Sequence, residues 1–375
     1  MISLIKVIKM NLINGNVFLG EKFEKTNIKI TNNKISDISL SISDDDVLDC
    51  TDKYIIPGLV DIHTHGCTGY DFSSASAAEI KIMQKYYLKH GITSVLATTV
   101  SLSDNDILSA VNNIKSVAEK QTEGSRIAGI NLEGPYLSPK KCGAHNIDLL
   151  KEPDIDFIES LGDYIKVVHV APEYNKASDF ITKFKGKTSI AHTDCDYSQA
   201  MNAIEHGADH ITHIFNAMNG LHHRNPGVIG AFFDSEAVAE LICDGIHVKA
   251  PILRMMFKAY AERIAIISDS MAATGLSNGK YKLGDLDVIV SNSVATLEDG
   301  TLAGSTMNIY DMMRNLISIG VDAEKAIASV TQIPAKSVAI DNNCGIIKVG
   351  RNADMVILNS DFSIDKIIFD GKIIS

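Results

Sequence analysis

Five histidines, a glutamate and an aspartate recur at matching points along this chain. They are His63 and His65 in LVDIHTHG, Glu133 in INLEGP, His192 in IAHTD, His213 in ITHIFN, His247 in DGIHV and Asp269 in IISDSM. Imidazole and carboxylate groups from separate segments suit a divalent ion, and three protein ligands with one open position make a catalytic site. Glu133, His192 and His213 are the expected ligands. His63 and His65 are two residues apart, so they project from the same side of a strand and can hold a second ion. As donors behind the first ion they would look identical in sequence. The carboxylate of Asp269 can take a proton from an activated water and return it to a leaving group. It also suits a helix N-cap before Ser270, and the two roles are compatible.

These residues need a scaffold that gathers them. Between Gly58 and about Val338, eight short apolar runs alternate with helical patterns. The runs lie at 59–63, 93–99, 127–133, 165–170, 188–192, 210–215, 239–244 and 263–269. Continuous apolar runs between helices indicate parallel strands covered on both faces. Eight such units predict an α/β fold, a TIM (β/α)8 barrel, whose chemistry sits where the strands end. An open doubly wound sheet is the alternative, but no GxGxxG follows the first run. Residues 1–56 and 339–375 are strand-like and predict a small β-sandwich domain built from both termini, flanking a barrel over 57–338. The stretch KYKLGDLDVIVSNSVATLEDGTL reads as a β-hairpin inserted after the eighth strand.

Composition narrows the class. With 45% hydrophobic and 22% charged residues among 375, the chain suits a globular fold rather than a disordered one. A formal charge of −11 argues against general nucleic-acid or anionic-membrane binding. No run of about 18 apolar residues predicts a transmembrane helix. The alternating N-terminus, MISLIKVIKMNLING, reads as a strand and not a signal peptide. Six scattered cysteines without a CxxC pair read as reduced thiols, so a soluble cytoplasmic protein is expected. Cys67, Cys142 and Cys195 fall near the motifs but have no neighbouring base, and read as packing residues.

An anionic ligand of so acidic a chain needs a local cation. Only six arginines are present, and Arg224 in HHRNPG follows the sixth run on the chemical side of the barrel. Guanidinium binds oxyanions in a bidentate, charge-assisted way, which makes Arg224 a candidate, a solvated surface charge being its other reading. The other histidines read as structural: His206 and His210 around a helix end, His90 at a helix C-terminus, and His169 as a mid-strand core residue.

PGLVDIHTHG, together with GIIKVGRNADMVIL near the C-terminus, resembles the metal-dependent amidohydrolase superfamily. Within it, NLEGPYLSPKKCGAHN, AHTDCDYSQAMNAIEHGADHITHIFNAMNGLHHRNPG, ICDGIHV and ISDSMAATG are similar to the N-acetylglucosamine-6-phosphate deacetylase family. The resemblance implies a TIM barrel with a β-sandwich from both termini. It implies Glu133, His192 and His213 as ligands, His63 and His65 as a permitted second set, and Asp269 as general base and acid. Strand four, IKVVHV, has no lysine at its far end for a carboxylated bridge, so Glu133 would take that place. Ala144, His145, Asn216, Ala217, Arg224, His247, Leu302, Ala303 and Gly304 would contact the sugar phosphate, and His145 or His247 would donate to the oxyanion. The implied cofactor is zinc, with iron, manganese or cobalt accepted by the same ligands, at one or two ions per subunit. The implied assembly is a homodimer in which the Arg224 loop reaches a neighbour's site. The implied reaction converts N-acetylglucosamine 6-phosphate to glucosamine 6-phosphate and acetate in amino-sugar catabolism. Another metal-dependent amidohydrolase, such as a cyclic-amide hydrolase or deaminase, is the alternative enzyme. A scaffold without activity is disfavoured because every expected position is intact.

Overall fold

The computed structural model describes residues 9–42, 46–120 and 123–374. Eight parallel strands pair in chain order around a barrel. Strands one to four are Leu59–Thr64, Ile92–Thr99, Arg126–Leu132 and Ile165–Val170. Strands five to eight are Lys187–Ile190, His210–Ile211, Val238–Leu241 and Ile264–Ile266. Each falls on one of the eight apolar runs.

Several strands stop short of the polar residue that ends the run. His192, His213 and Asp269 have left-handed backbones, with φ of 42°, 27° and 46°. Such a conformation costs a non-glycine residue about 1–3 kcal/mol and clusters at functional sites. Here it breaks the extended path where the chain leaves the barrel.

The seam between strands one and eight is closed by single bonds rather than by a ladder. Asp269 N–H donates to the His63 carbonyl at 2.9 Å, and Val60 and Ile266 donate to the carbonyls of Val330 and Ser329 at 2.8 Å each. Between them the fully buried Asp61 carboxyl accepts from the backbone N–H groups of Ser268 and His63, at 3.2 and 3.3 Å. Burial pushes Asp61 up to about 7, against hydrogen bonds that favour its charged form.

Local signals on the helices are the ordinary ones. Ser76 and Glu79 form a capping box at the start of Ala77–Lys89, and at its end the His90 ring donates to the Tyr86 carbonyl at 2.8 Å. His206 caps the helix Tyr197–Glu205, and the chain turns at Gly207, with φ of 117°.

The terminal segments form one eight-stranded sheet of their own. Tyr54–Pro57 pairs antiparallel with Met355–Leu358, which joins the two ends of the chain. Period-two alternation splits their side chains between two cores. Ile55, Met355 and Ile357 join Leu12, Ile28 and Ile30 in a cluster within the sheet. Ile56, Val356 and Leu358 face the barrel's core instead. The first residues of the predicted N-terminal strand, 1–8, lie outside the described residues, and the strand runs Lys9–Phe18.

The predicted hairpin carries a third strand. Gly279–Leu283, Leu286–Ser291 and Val294–Thr296 form an antiparallel meander. Beyond it the chain returns to the barrel mouth, where Ser305 N–H donates to the Asp269 carbonyl at 2.7 Å.

Candidate metal centre and active site

Glu133 follows strand three and is the hub of the barrel mouth, 3% exposed. Its two oxygens face different partners. Oε1 lies 3.1 Å from His213 Nε2, 3.3 Å from His192 Nε2 and 3.6 Å from His169 Nδ1. Oε2 lies 3.0 Å from His65 Nε2, 3.4 Å from His145 Nε2 and 3.5 Å from His63 Nε2. Asp269 Oδ1 completes the second group, 3.2 Å from His65 Nε2 and 3.5 Å from His63 Nε2. The structure therefore gathers all five sequence-nominated ligands, together with Asp269 and His145, into one buried cluster.

The charges explain one another. Burial opposes ionisation of Glu133, but the His63 charge and hydrogen bonds from His145, His169 and His192 hold it well below the usual carboxylate range. Burial also opposes the charge on Asp269, yet the His65 hydrogen bond and the His63 charge keep its carboxyl at about 2. Conversely, the Glu133 and Asp269 carboxylates overcome burial to raise His65 to about 9 and His63 well above its ordinary value. His145 and His169 are pushed down to about 4 by burial and stay neutral.

The donor set fits a divalent metal. Two groups of side chains share Glu133: Glu133, His192 and His213 on one side, and His63, His65, Glu133 and Asp269 on the other. Within each, one ligand atom per residue lies within 4.8 Å of the rest. His192 Nδ1 donates to the Lys141 carbonyl at 2.8 Å, so a neutral His192 ring has its lone pair on Nε2, 3.0 Å from His213 Nε2. The buried Nε2 of His63 has no hydrogen-bond partner. Clustered imidazoles that protonate to satisfy two carboxylates would exchange those protons for a cation, since metal binding releases ligand protons.

Around this centre the remaining candidates divide. Ala144 and His145 are buried beside it. The Asn216 side chain donates to the His213 carbonyl at 3.2 Å, and the Ala217 carbonyl accepts from Thr193 N–H at 3.1 Å. Leu302 and Ala303 pair with Thr296 and Ala295 of the inserted meander, and a Cβ on Gly304 would stand 2.9 Å from the Asp269 carbonyl. His247 Nδ1 donates to Asp244 Oδ2 at 2.7 Å, outside the cluster. Arg224 stands in an exposed loop with its guanidinium on His223 Nε2 at 2.7 Å. Neither joins the cluster's contacts among the described residues.

Two residues of the site escaped the sequence reading. His169, read as a satisfied core histidine, lies on the Glu133 oxygen and has an unpartnered Nε2. Glu240, in the middle of strand seven, is fully buried and 3.0 Å from His63 Nδ1. The available signal was a glutamate inside the apolar run AELICD, since a carboxylate buried in a barrel strand must be paired. The cysteines show no site character: burial pushes the thiols of Cys67 and Cys195 up to about 12.

Comparison with known proteins agrees with this geometry. Residues 54–374 match the Amidohydrolase family. The chain is 36% identical over 335 residues to N-acetylglucosamine-6-phosphate deacetylase of Bacillus subtilis, covering 86% of this chain and 85% of that one. It is 31% identical over 350 residues to N-acetylgalactosamine-6-phosphate deacetylase of Escherichia coli O157:H7, covering 91% and 92%. A solved structure of N-acetyl-D-glucosamine-6-phosphate deacetylase from Mycobacterium smegmatis, in complex with N-acetyl-D-glucosamine-6-phosphate, superposes with a TM-score of 0.90. That superposition spans 97% of this chain and 99% of the other at 29% identity. The chain belongs to the amidohydrolase family of metal-dependent hydrolases.

Proposed function

We propose that this protein hydrolyses the acetamide of N-acetyl-D-glucosamine 6-phosphate, giving D-glucosamine 6-phosphate and acetate. The observation that carries the reading is the placement of Asp269 against a buried cluster centred on Glu133, on a chain similar to enzymes named for that reaction.

Glu133, His192 and His213 would hold one ion, and His63 and His65 with the second Glu133 oxygen another. We assign zinc as the metal, because borderline-soft imidazole with carboxylate is a set that zinc accepts. When bound, the ion acidifies the attacking water and polarises the amide carbonyl. The protein's own groups do the rest. Asp269, ionised and at the mouth, accepts the proton of the attacking water. It then delivers that proton to the amide nitrogen as the C–N bond breaks, which makes the amine a competent leaving group.

His145 is set up to donate to the oxyanion. Its Nδ1 accepts from the Ser101 backbone N–H at 3.1 Å, and a backbone N–H can only donate. The proton of the neutral ring therefore sits on Nε2, which faces the cluster. His247 carries a proton on the opposite nitrogen, toward Asp244, and in its neutral form offers an Nε2 lone pair to a sugar hydroxyl. Of the two candidate donors, the hydrogen bonding favours His145.

Arg224 supplies the phosphate contact. Its exposed loop, with Leu221 51% exposed beside it, reaches the site of a second copy in a homodimer, where it faces the phosphate. We place the enzyme in the cytoplasm, in amino-sugar catabolism. No helix among the described residues is long and apolar enough to cross a membrane.

The test is acetate release from N-acetylglucosamine 6-phosphate and from unphosphorylated N-acetylglucosamine, by the wild type and by Arg224→Met. A charge-assisted contact is worth about 1.5–3 kcal/mol, so the variant should lose about 10–100-fold in kcat/KM on the phosphorylated sugar and little on the other. Equal losses on both would show that Arg224 does not see phosphate, and no release from either would refute the assigned reaction. The Escherichia coli relative favours a second reading, in which N-acetylgalactosamine 6-phosphate is preferred. The same assay with that sugar decides between them.

A further inference from the structure

His63 is fixed at every polar atom but one. Its backbone N–H donates to Asp61 Oδ1 at 3.3 Å, and its carbonyl accepts from Asp269 N–H at 2.9 Å. Its Nδ1 lies 3.0 Å from Glu240 Oε2, a contact across the barrel interior between strands one and seven. The remaining atom, Nε2, has no hydrogen-bond partner and faces Glu133 Oε2 and Asp269 Oδ1, each at 3.5 Å. Both residues of the pair are fully buried, at 0% exposure.

From this geometry we propose that Glu240 is the positioning residue of the second metal position. It acts through His63 and touches neither substrate nor ion. An ionised carboxylate only accepts, so Nδ1 keeps its proton, and the Nε2 proton of the charged ring is the one given up to leave a lone pair for an ion. A carboxylate behind a ligating imidazole also raises its basicity and fixes the ring plane. The His169 ring packs edge-on against His63, with centroids 5.1 Å apart, and one ligand atom of each of His63, His169 and Glu240 lies within 4.8 Å of the others. No comparable carboxylate stands behind His192, whose Nδ1 uses a backbone carbonyl. The two positions are thereby made unequal, and Glu240 serves only the one containing His63.

This inference rests on the two-ion reading given above, and the experiment separates the two. Wild type, Glu240→Gln and Glu240→Met are dialysed to equilibrium against graded Zn²⁺, and bound metal per chain is measured by elemental analysis. Wild type should hold two ions. Glu240→Gln keeps the shape without the charge and should bind the ion at His63 and His65 about 10–100-fold less tightly. Glu240→Met removes the acceptor and should hold one ion. Both variants should keep the ion at Glu133, His192 and His213 with unchanged affinity. If Glu240→Met fails to fold, the near-isosteric Gln variant alone decides. A two-ion wild type whose variants also bind both ions with unchanged affinity overturns the proposal by itself. Parallel loss of both ions also overturns it, because Glu240 would then support the barrel generally. A wild type holding a single ion overturns the two-ion reading and this proposal together.

Discussion

Asp269→Asn is expected to lower kcat by about 10²–10⁴-fold, the usual contribution of general acid–base catalysis. The amide keeps the shape of the carboxylate and its backbone bonds to the His63 carbonyl and Ser305 N–H, so the barrel seam stays closed. What it removes is an oxygen able to take up a proton. In the wild type that oxygen is held at about 2 by the His65 hydrogen bond and the His63 charge, against burial. The folded-state value lies below the 3.8 of a free aspartate, so the native state prefers the ionised form. The associated stability is present above the unfolded value and is lost only as pH falls through the folded one. The carboxylate is therefore ready to act as a base throughout the neutral range. The ion proposed at Glu133, His192 and His213 should remain, and KM should change far less than kcat. A variant with wild-type turnover would remove Asp269 from the chemistry.

Glu133→Gln is expected to be more damaging. Six imidazole nitrogens lie between 3.0 and 3.6 Å from this one carboxylate. An amide in its place presents a neutral oxygen to one side and an N–H₂ donor to the other. One ligand set would then face a donor where it needs an acceptor. Bound metal should fall below one ion per chain at concentrations that saturate the wild type. Loss of metal-assisted water activation, several kcal/mol, corresponds to a fall in kcat/KM on the order of 10³-fold or more. Full metal content in this variant would contradict the hub role of Glu133.

The eight barrel strands were legible in the sequence because β-branched runs alternate with helices, and a strand buried on both faces is apolar throughout. The side chains clustered at the mouth were legible because they end those runs, where an imidazole or carboxylate has no reason to recur in a packed core. Glu240 and His169 were not, because they lie within strands, and a side chain pointing into the barrel looks in sequence like one pointing outward. Their roles depend on contacts between strands one, four and seven, which no local pattern records. Arg224 shows the opposite limit. Its loop was readable from HHRNPG, but the exposed side chain pairs with His223, and no contact within the chain marks it as a phosphate ligand.

The most direct test is acetate release from N-acetylglucosamine 6-phosphate by protein stripped with a chelator and then titrated with Zn²⁺. Activity should vanish with the metal and return in proportion to ions restored, while the stripped chain stays folded. Undiminished acetate release from a chain shown by elemental analysis to be metal-free would contradict the account.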